Sequence, residues 1–253
     1  MTTEATERFR ILNEFIGCGT LHAPIWFIGL EEAGEWKEDP EKDREQYDKY
    51  ARRSLPVENG EIEKQVRQAR EERRGYTKIY DIMSKLVVAI TIPDQPNFLE
   101  WKEYRNKKLL QANGITFQAN LFPLGKNSVG EWPDHYKNLF GFGKEDRSEY
   151  ERMVISDRFP GRFHLLRSQW KDAAPIITVC FGFSRWRDFE NLLKPAEPPE
   201  EFDNCKLYKK SGVILTPFFK YPFMPHTRIQ GLAEKLRPLW EKRDRGIGPW
   251  TGK

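Results

Sequence analysis

Two adjacent glutamates directly after an apolar run form the pair of residues best suited to chemistry in this chain. The run covers residues 24–30, with a glycine at position 29, and Glu31 and Glu32 come next. Such a run is typical of a buried strand in a parallel sheet, and open α/β sheets bind ligands at the carboxyl ends of such strands. Carboxylates there can orient an attacking water or stabilise a developing cation. The alternative is a capped turn with two solvated glutamates.

Further polar and aromatic side chains follow the other predicted strands. They are Asn120 and Phe122 after the second strand, Phe183 after the third, and Lys220, His226 and Arg228 after the fourth. Because parallel strands end at one edge of a sheet, these side chains are predicted to converge in one cleft, as in a small-ligand site. Each has a simpler explanation. Asn120 could bond a turn, His226 could lie on a surface loop, and the phenylalanines could belong to the core.

The elements that must position these residues alternate along the chain. Hydrophobic periodicity predicts strands over 24–30, 115–121, 175–181 and 213–218, with helices between them, and a strand at 206–209 that pairs with the last one as a hairpin. This alternation is typical of an α/β fold with helices on both faces of a parallel sheet. We therefore expect a single domain over 1–253, a three-layer sandwich around a central four-stranded parallel sheet. A large helical insert at 35–110 follows strand one.

Composition restricts the possible functions only mildly. The formal net charge of +4 permits a polyanionic partner without requiring one. Cys18, Cys180 and Cys205 form no CxxC pair, so we expect no zinc or iron–sulfur site and no cofactor. No signal peptide and no apolar run of membrane-spanning length is visible, so no membrane partner is expected. The sequence thus predicts a cytoplasmic protein, which we expect to be a monomer.

Taken together, these motifs resemble those of the uracil-DNA glycosylase superfamily. The segment Gly29-Leu30-Glu31-Glu32-Ala33-Gly34 is similar to the family's first motif, which follows strand one. Asn120 matches the asparagine that ends the family's second strand and reads the base. The chain also departs from the family. Glu31 stands where the family has a catalytic Asp or Asn, Ala33 stands where it has a tyrosine, and no His-Pro-Ser-Pro motif follows strand four.

The resemblance implies a uracil-DNA glycosylase-like fold and a monofunctional enzyme that flips a base out of DNA and hydrolyses its N-glycosidic bond. Glu31, with Glu32 as second choice, would orient water and stabilise the oxocarbenium-like transition state. His226 or Lys220 would assist the departing base. Asn120 would read the base edge while Phe122 or Phe183 stacks on the ring. The implied DNA contacts are a wedge formed by Phe223 and Met224, and phosphate contacts from Lys126 and Arg228.

Ala33 directs the expected substrate. The family's tyrosine blocks a substituent on the pyrimidine 5-carbon, and alanine cannot do so. We therefore expect a 5-substituted cytosine of phage DNA, hydroxymethylated or glucosylated, as in the branches of the family that act in antiviral defence. The alternatives are a uracil-DNA glycosylase of base-excision repair, a metal-dependent phosphoesterase that uses the two glutamates and a histidine, and a non-catalytic nucleic-acid-binding module.

Overall fold

The computed structural model describes residues 3–31, 36, 47–52, 54–58, 60–64, 79–92, 100–126, 131–156, 161–217 and 224–242. The strands there are β1 Gly17–Gly19, β2 Ile25–Gly29, β3 Ser54–Leu55, β4 Thr116–Asn120, β5 Ile177–Phe181, β6 Glu200–Phe202, β7 Cys205–Tyr208 and β8 Val213–Thr216. The helices are α1 Thr3–Glu14, α2 Ile79–Thr91, α3 Trp101–Lys107, α4 Tyr136–Phe140, α5 Arg147–Val154, α6 Arg162–Ala173, α7 Trp186–Leu193 and α8 His226–Glu241. Residues 61–64 are also helical, and 3-10 turns cover Lys144–Asp146 and Phe183–Arg185.

One mixed sheet contains all of these strands. Their order is β3-β1-β4-β2-β5-β8-β7-β6. The neighbours β4, β2, β5 and β8 pair in parallel, whereas β1, β7 and β6 add antiparallel pairings at the sides. The α/β class and the β7–β8 hairpin are confirmed. The sheet is larger than the four parallel strands predicted, because four more strands and antiparallel pairings extend the parallel neighbours β4, β2, β5 and β8.

Strand β1 was not predicted, because its sequence Gly-Cys-Gly carries no apolar pattern. Glycine is required there by close approach of two backbones. A Cβ on Gly17 would overlap the carbonyl oxygen of Gln118 in the neighbouring strand β4. Helix α1 ends at Glu14. The chain therefore leaves a helix and enters the sheet within three residues.

Helices cover both faces of the sheet, and strand β2 shows how the sequence serves both. Side chains alternate across a strand, so Trp26 and Ile28 lie on one face and Ile25 and Phe27 on the other. All four side chains are fully buried, as expected for the middle of a parallel sheet. We call the first side the α1 face, because Phe9 and Leu12 of α1 pack there, and the second side the α8 face, because Leu232 and Leu236 of α8 pack there.

The predicted insert at 35–110 is only partly helical. Its described residues include α2 and α3, which pack on the α8 face, but also β3, which extends the sheet beside β1. Among the described residues, no helix combines the length and apolarity needed to cross a membrane.

Candidate functional site

Glu31 lies just beyond the carboxyl end of β2, on the α1 face, because its partner Lys126 lies over the ring of Trp132 in the apolar cluster of that face. Its carboxylate forms an ion pair with Lys126, with Nζ 3.0 Å from Oε2. Both side chains are nearly enclosed, 10% exposed for Glu31 and 5% for Lys126. The prediction that Lys126 contacts phosphate is therefore corrected, because its ammonium is buried against a carboxylate of the same chain.

The pairing of β2 with β4 is what brings Lys126 to this place. It continues past the strand ends, since Leu121 N–H donates to the Gly29 carbonyl at 2.9 Å and Phe122 N–H donates to the Leu30 carbonyl at 2.7 Å. The segment after β4 thus runs alongside the segment that carries Glu31. The sequence alone does not predict the ion pair, because 94 residues lie between its two members.

Burial controls the electrostatics of Glu31. Removal from water raises the pKa of its carboxyl, and this effect outweighs the opposing charges of Lys126, Arg147 and Arg185. A carboxyl group with a raised pKa can take up or release a proton closer to neutral pH than a solvated one. Such groups are typical of general acid–base sites, although structural ion pairs also perturb pKa values.

Further charged side chains surround this ion pair. Glu151 accepts from Arg185 at 2.8 Å and from Arg147 at 3.2 Å, and Arg185 also pairs with Asp188 at 3.2 Å. Burial works to raise the pKa of Glu151, but the two arginines outweigh it and lower that pKa.

The guanidinium of Arg185 lies 4.9 Å from the centre of the Phe122 ring. Phe122 is only 4% exposed, so the prediction that it stacks on a base is not supported by its position.

Asn120 ends β4 directly opposite Gly29, the last residue of β2. Its side chain lies on the α8 face, because a Cβ built on Gly29 would come within 2.8 Å of both Asn120 Oδ1 and the ring of Phe181. Glycine at position 29 therefore leaves room for the carboxamide. Glu31 and Asn120 thus occupy neighbouring strand ends but opposite faces of the sheet.

Arg162, which the sequence analysis did not single out, holds the main chain at Asn120. Its guanidinium is buried, and Nε donates to the Asn120 carbonyl at 2.8 Å. The other nitrogens donate to carbonyls at the end of α1, at 2.7 to 3.4 Å, those of Leu12, Asn13, Phe15 and Ile16. Hydrogen bonds to a buried charged group are among the stronger ones, so this arginine fixes the end of β4.

Two of the three basic residues predicted after the fourth strand, His226 and Arg228, belong to helix α8. His226 begins α8, and its Nε2 lies 3.2 Å from Nζ of Lys85 in α2. Partial burial and the charge of Lys85 lower the pKa of the imidazole, so the neutral form is favoured. Arg228 makes a two-pronged ion pair with Asp203, at 2.7 and 2.9 Å. To contact a phosphate, Arg228 would have to share its guanidinium between the phosphate and Asp203.

Two further predicted contacts have opposite outcomes. Met224 is 4% exposed and packs in the apolar cluster of the α8 face, so the prediction that it projects as a wedge is corrected. Phe183 is 58% exposed and follows β5, where a ring could meet a ligand. The predicted site residues Glu32, Ala33, Lys220 and Phe223 lie outside the described residues.

No protein-family model, curated protein or solved structure matches this chain. The site geometry is therefore the basis for a functional conclusion. Within the described ranges, no three His, Cys, Asp or Glu residues converge as a metal-ion site would need. The arrangement there offers a carboxylate near a lysine, a carboxamide at the next strand end, and an exposed phenylalanine ring.

Proposed function

We propose that this protein is a DNA glycosylase that hydrolyses the N-glycosidic bond of an extruded nucleotide. The observation that carries the proposal is the in-register pairing of parallel β2 and β4 up to Gly29 and Asn120. It brings Glu31 and Asn120 to adjacent strand ends among the four parallel strands. That edge is where open α/β sheets bind their ligands, and the same order of residues is the basis of the glycosylase resemblance.

In this proposal Glu31 activates the water. The carboxylate accepts a proton as the water oxygen bonds to the sugar C1′, while the C–N bond breaks and its electron pair leaves with the base. Lys126 fixes the orientation of the carboxylate. Asn120 has both a donor and an acceptor, so it can bind a pyrimidine edge with two hydrogen bonds. Because the two side chains lie on opposite faces, the nucleotide would extend across the end of β2.

The substrate proposed is a 5-substituted cytosine of phage DNA, hydroxymethylated or glucosylated, and the biological role is antiviral defence. Support for this substrate comes from the sequence alone. Position 33 is an alanine, where the family that the chain resembles has a tyrosine, so no bulky ring would exclude a substituent on the pyrimidine 5-carbon. Uracil in a repair pathway is the alternative substrate.

The test is an incubation with matched duplexes that carry uracil, hydroxymethylcytosine or glucosylated hydroxymethylcytosine, followed by alkali to break abasic sites. We expect alkali-dependent cleavage of one modified duplex, lost in Glu31→Gln and Asn120→Ala. Matched controls are Glu145→Gln and Asn138→Ala, which change the same residue types at exposed positions. Thermal unfolding of each variant separates lost chemistry from lost folding. Cleavage of uracil DNA alone would refute the modified-base part, and cleavage of none of them, as duplexes or as single strands, would refute the activity.

A non-catalytic nucleic-acid-binding module is the second candidate. The observation that favours it is the Glu31–Lys126 ion pair. The buried ammonium of Lys126 neutralises the charge of the Glu31 carboxylate, which is the group that would activate water in an enzyme. The same duplexes distinguish the two functions. Binding in a gel shift by both the wild type and Glu31→Gln, with no cleavage by either, would support the module.

A further inference from the structure

Phe183 is unusual among the described residues because its ring faces solvent at the edge of the sheet where the candidate site lies. It is 58% exposed, whereas the other exposed large apolar side chains described, Met153 and Ile155, are aliphatic and lie near the end of α5. A single exposed apolar residue is common on protein surfaces and needs no explanation. The backbone and the neighbours of Phe183 supply the further observations.

The turn that carries Phe183 is built to fit against the Glu31 strand. Gly182 has φ of +140°, a conformation that side chains other than glycine rarely adopt. A Cβ on Gly182 would also lie 2.6 Å from the side chain of Leu30, the residue before Glu31. The 3-10 turn at Phe183–Arg185 therefore packs directly beside the end of β2, with the phenylalanine ring directed outward.

Trp186 packs beside Phe183, and we call these two rings the aromatic step. The two ring centres are 4.8 Å apart, with planes at 57°. Trp186 Nε1 donates to the Thr216 carbonyl at the end of β8, at 3.3 Å, which holds the indole in place. The Lys206 ammonium lies 5.5 Å from the indole centre and is also ion-paired with Glu190 at 3.1 Å. The step is thus held by two strand ends, and its phenylalanine ring is exposed to solvent.

We propose that the Phe183–Trp186 step is a stacking platform for an unpaired nucleobase, and that the nucleic acid is therefore single-stranded, or opened beside the target nucleotide. This inference rests on the proposed function for its choice of nucleic acid as ligand. Aromatic rings beside basic side chains are the usual means by which proteins hold single strands without reading their sequence. A base inside a duplex has both faces covered by its neighbours, so it cannot use the platform.

The test measures binding without chemistry. Oligonucleotides with 2-aminopurine, whose fluorescence is quenched by stacking, are titrated as single strands and as duplexes with the Glu31→Gln protein. On that background we compare Phe183→Ala, Phe183→Tyr and the control Ile155→Ala. We expect Phe183→Ala to bind single strands about tenfold more weakly and to lose quenching, while Phe183→Tyr retains both. Ile155→Ala should match the parent protein, and duplex binding should change little.

The inference is overturned if Phe183→Ala binds and quenches like the parent, if Ile155→Ala loses as much, or if the parent binds no single strand. Its failure is distinguishable from failure of the proposed function. Phe183-dependent stacking in a protein that cleaves no modified base, in duplexes or in single strands, leaves the platform standing and removes the glycosylase. Glu31-dependent cleavage with no role for Phe183 in binding removes the platform alone.

Discussion

Two glutamates that pair with lysines behave in opposite ways in this molecule. Glu31 pairs with Lys126 at 3.0 Å, and Glu200, at the far side of the sheet in β6, pairs with Lys209 at 2.5 Å and Lys235 at 2.6 Å. The pKa of Glu31 is raised because burial dominates, whereas hydrogen bonds from Lys209 and Lys235 lower that of Glu200 to about 2. Between these two glutamates, therefore, access to water rather than the distance to a cation decides the direction of the pKa shift.

The largest expected effect comes from removing the buried cation. Lys126→Met keeps the length of the side chain but leaves the Glu31 carboxylate buried without its partner, which costs about 3–5 kcal/mol for a buried pair. Lys235→Met removes one surface partner of Glu200 and should change the free energy of unfolding far less. Urea unfolding at neutral pH measures both variants. Equal losses would show that the two glutamates do not differ in the way their burial indicates.

The second prediction concerns pH, and the two glutamates should give slopes of opposite sign. For Glu31 the folded state keeps a proton that the unfolded chain releases above its ordinary pKa of 4.5. Its contribution to the free energy of unfolding therefore falls as pH rises from about 4.5 to the raised pKa. For Glu200 the contribution is present above 4.5 and is lost as pH falls toward 2. Unfolding curves from pH 2 to 8 for wild type, Glu31→Gln and Glu200→Gln measure each slope by difference.

A shared sign for those two slopes would contradict the contrast, because it would mean that burial does not dominate at Glu31. A flat difference for Glu31→Gln across the whole range would mean that the carboxyl titrates alike in the folded and unfolded chain. Its use as a proton acceptor near neutral pH would then lose its support.

The smallest expected effect is on salt dependence. At 1 M salt the screening length falls to about 3 Å, which weakens exposed charge pairs and leaves buried ones almost unchanged. Any destabilisation by Lys235→Met at low salt should therefore disappear in 1 M sodium chloride, while that of Lys126→Met persists. Urea unfolding at both salt concentrations measures this. Loss of the Lys126→Met effect in salt would place that pair in contact with solvent.

The strands that the sequence predicted well are those with continuous apolar runs. The runs at 24–30, 115–121 and 175–181 became β2, β4 and β5 with bounds differing by one or two residues. The missed strands β1, β3 and β6 carry no such run, since their places depend on partners rather than on their own side chains. Gly17 illustrates this, because its strand exists only where another backbone approaches closely.

The candidate site was less predictable than the fold. Position after a strand correctly placed Glu31 and Asn120 at the same edge of the sheet, because strand direction alone decides that. The predicted convergence in one cleft is not what the structure has, since the two side chains lie on opposite faces of the sheet. Charge and aromaticity gave poor guidance to the rest. Lys126, Phe122 and Met224 were predicted to contact the ligand, yet all three are buried. For Phe122 the core was the alternative interpretation, whereas the burial of Lys126 depends on a carboxylate far away in the sequence. Arg162 was overlooked for the same reason, since its acceptors are main-chain carbonyls, which leave no trace in the sequence.

The hydrogen bonds of Arg162 make helix α1 important for the candidate site. One guanidinium joins the last carbonyls of α1 to the carbonyl of Asn120, so the frame of the candidate site includes residues that precede the first strand of the sheet. A tag added before α1 leaves this junction intact. Trimming the chain back to residue 17 removes four of its acceptors at once, so we expect a shortened protein to change at Asn120 although the cut lies about a hundred positions away.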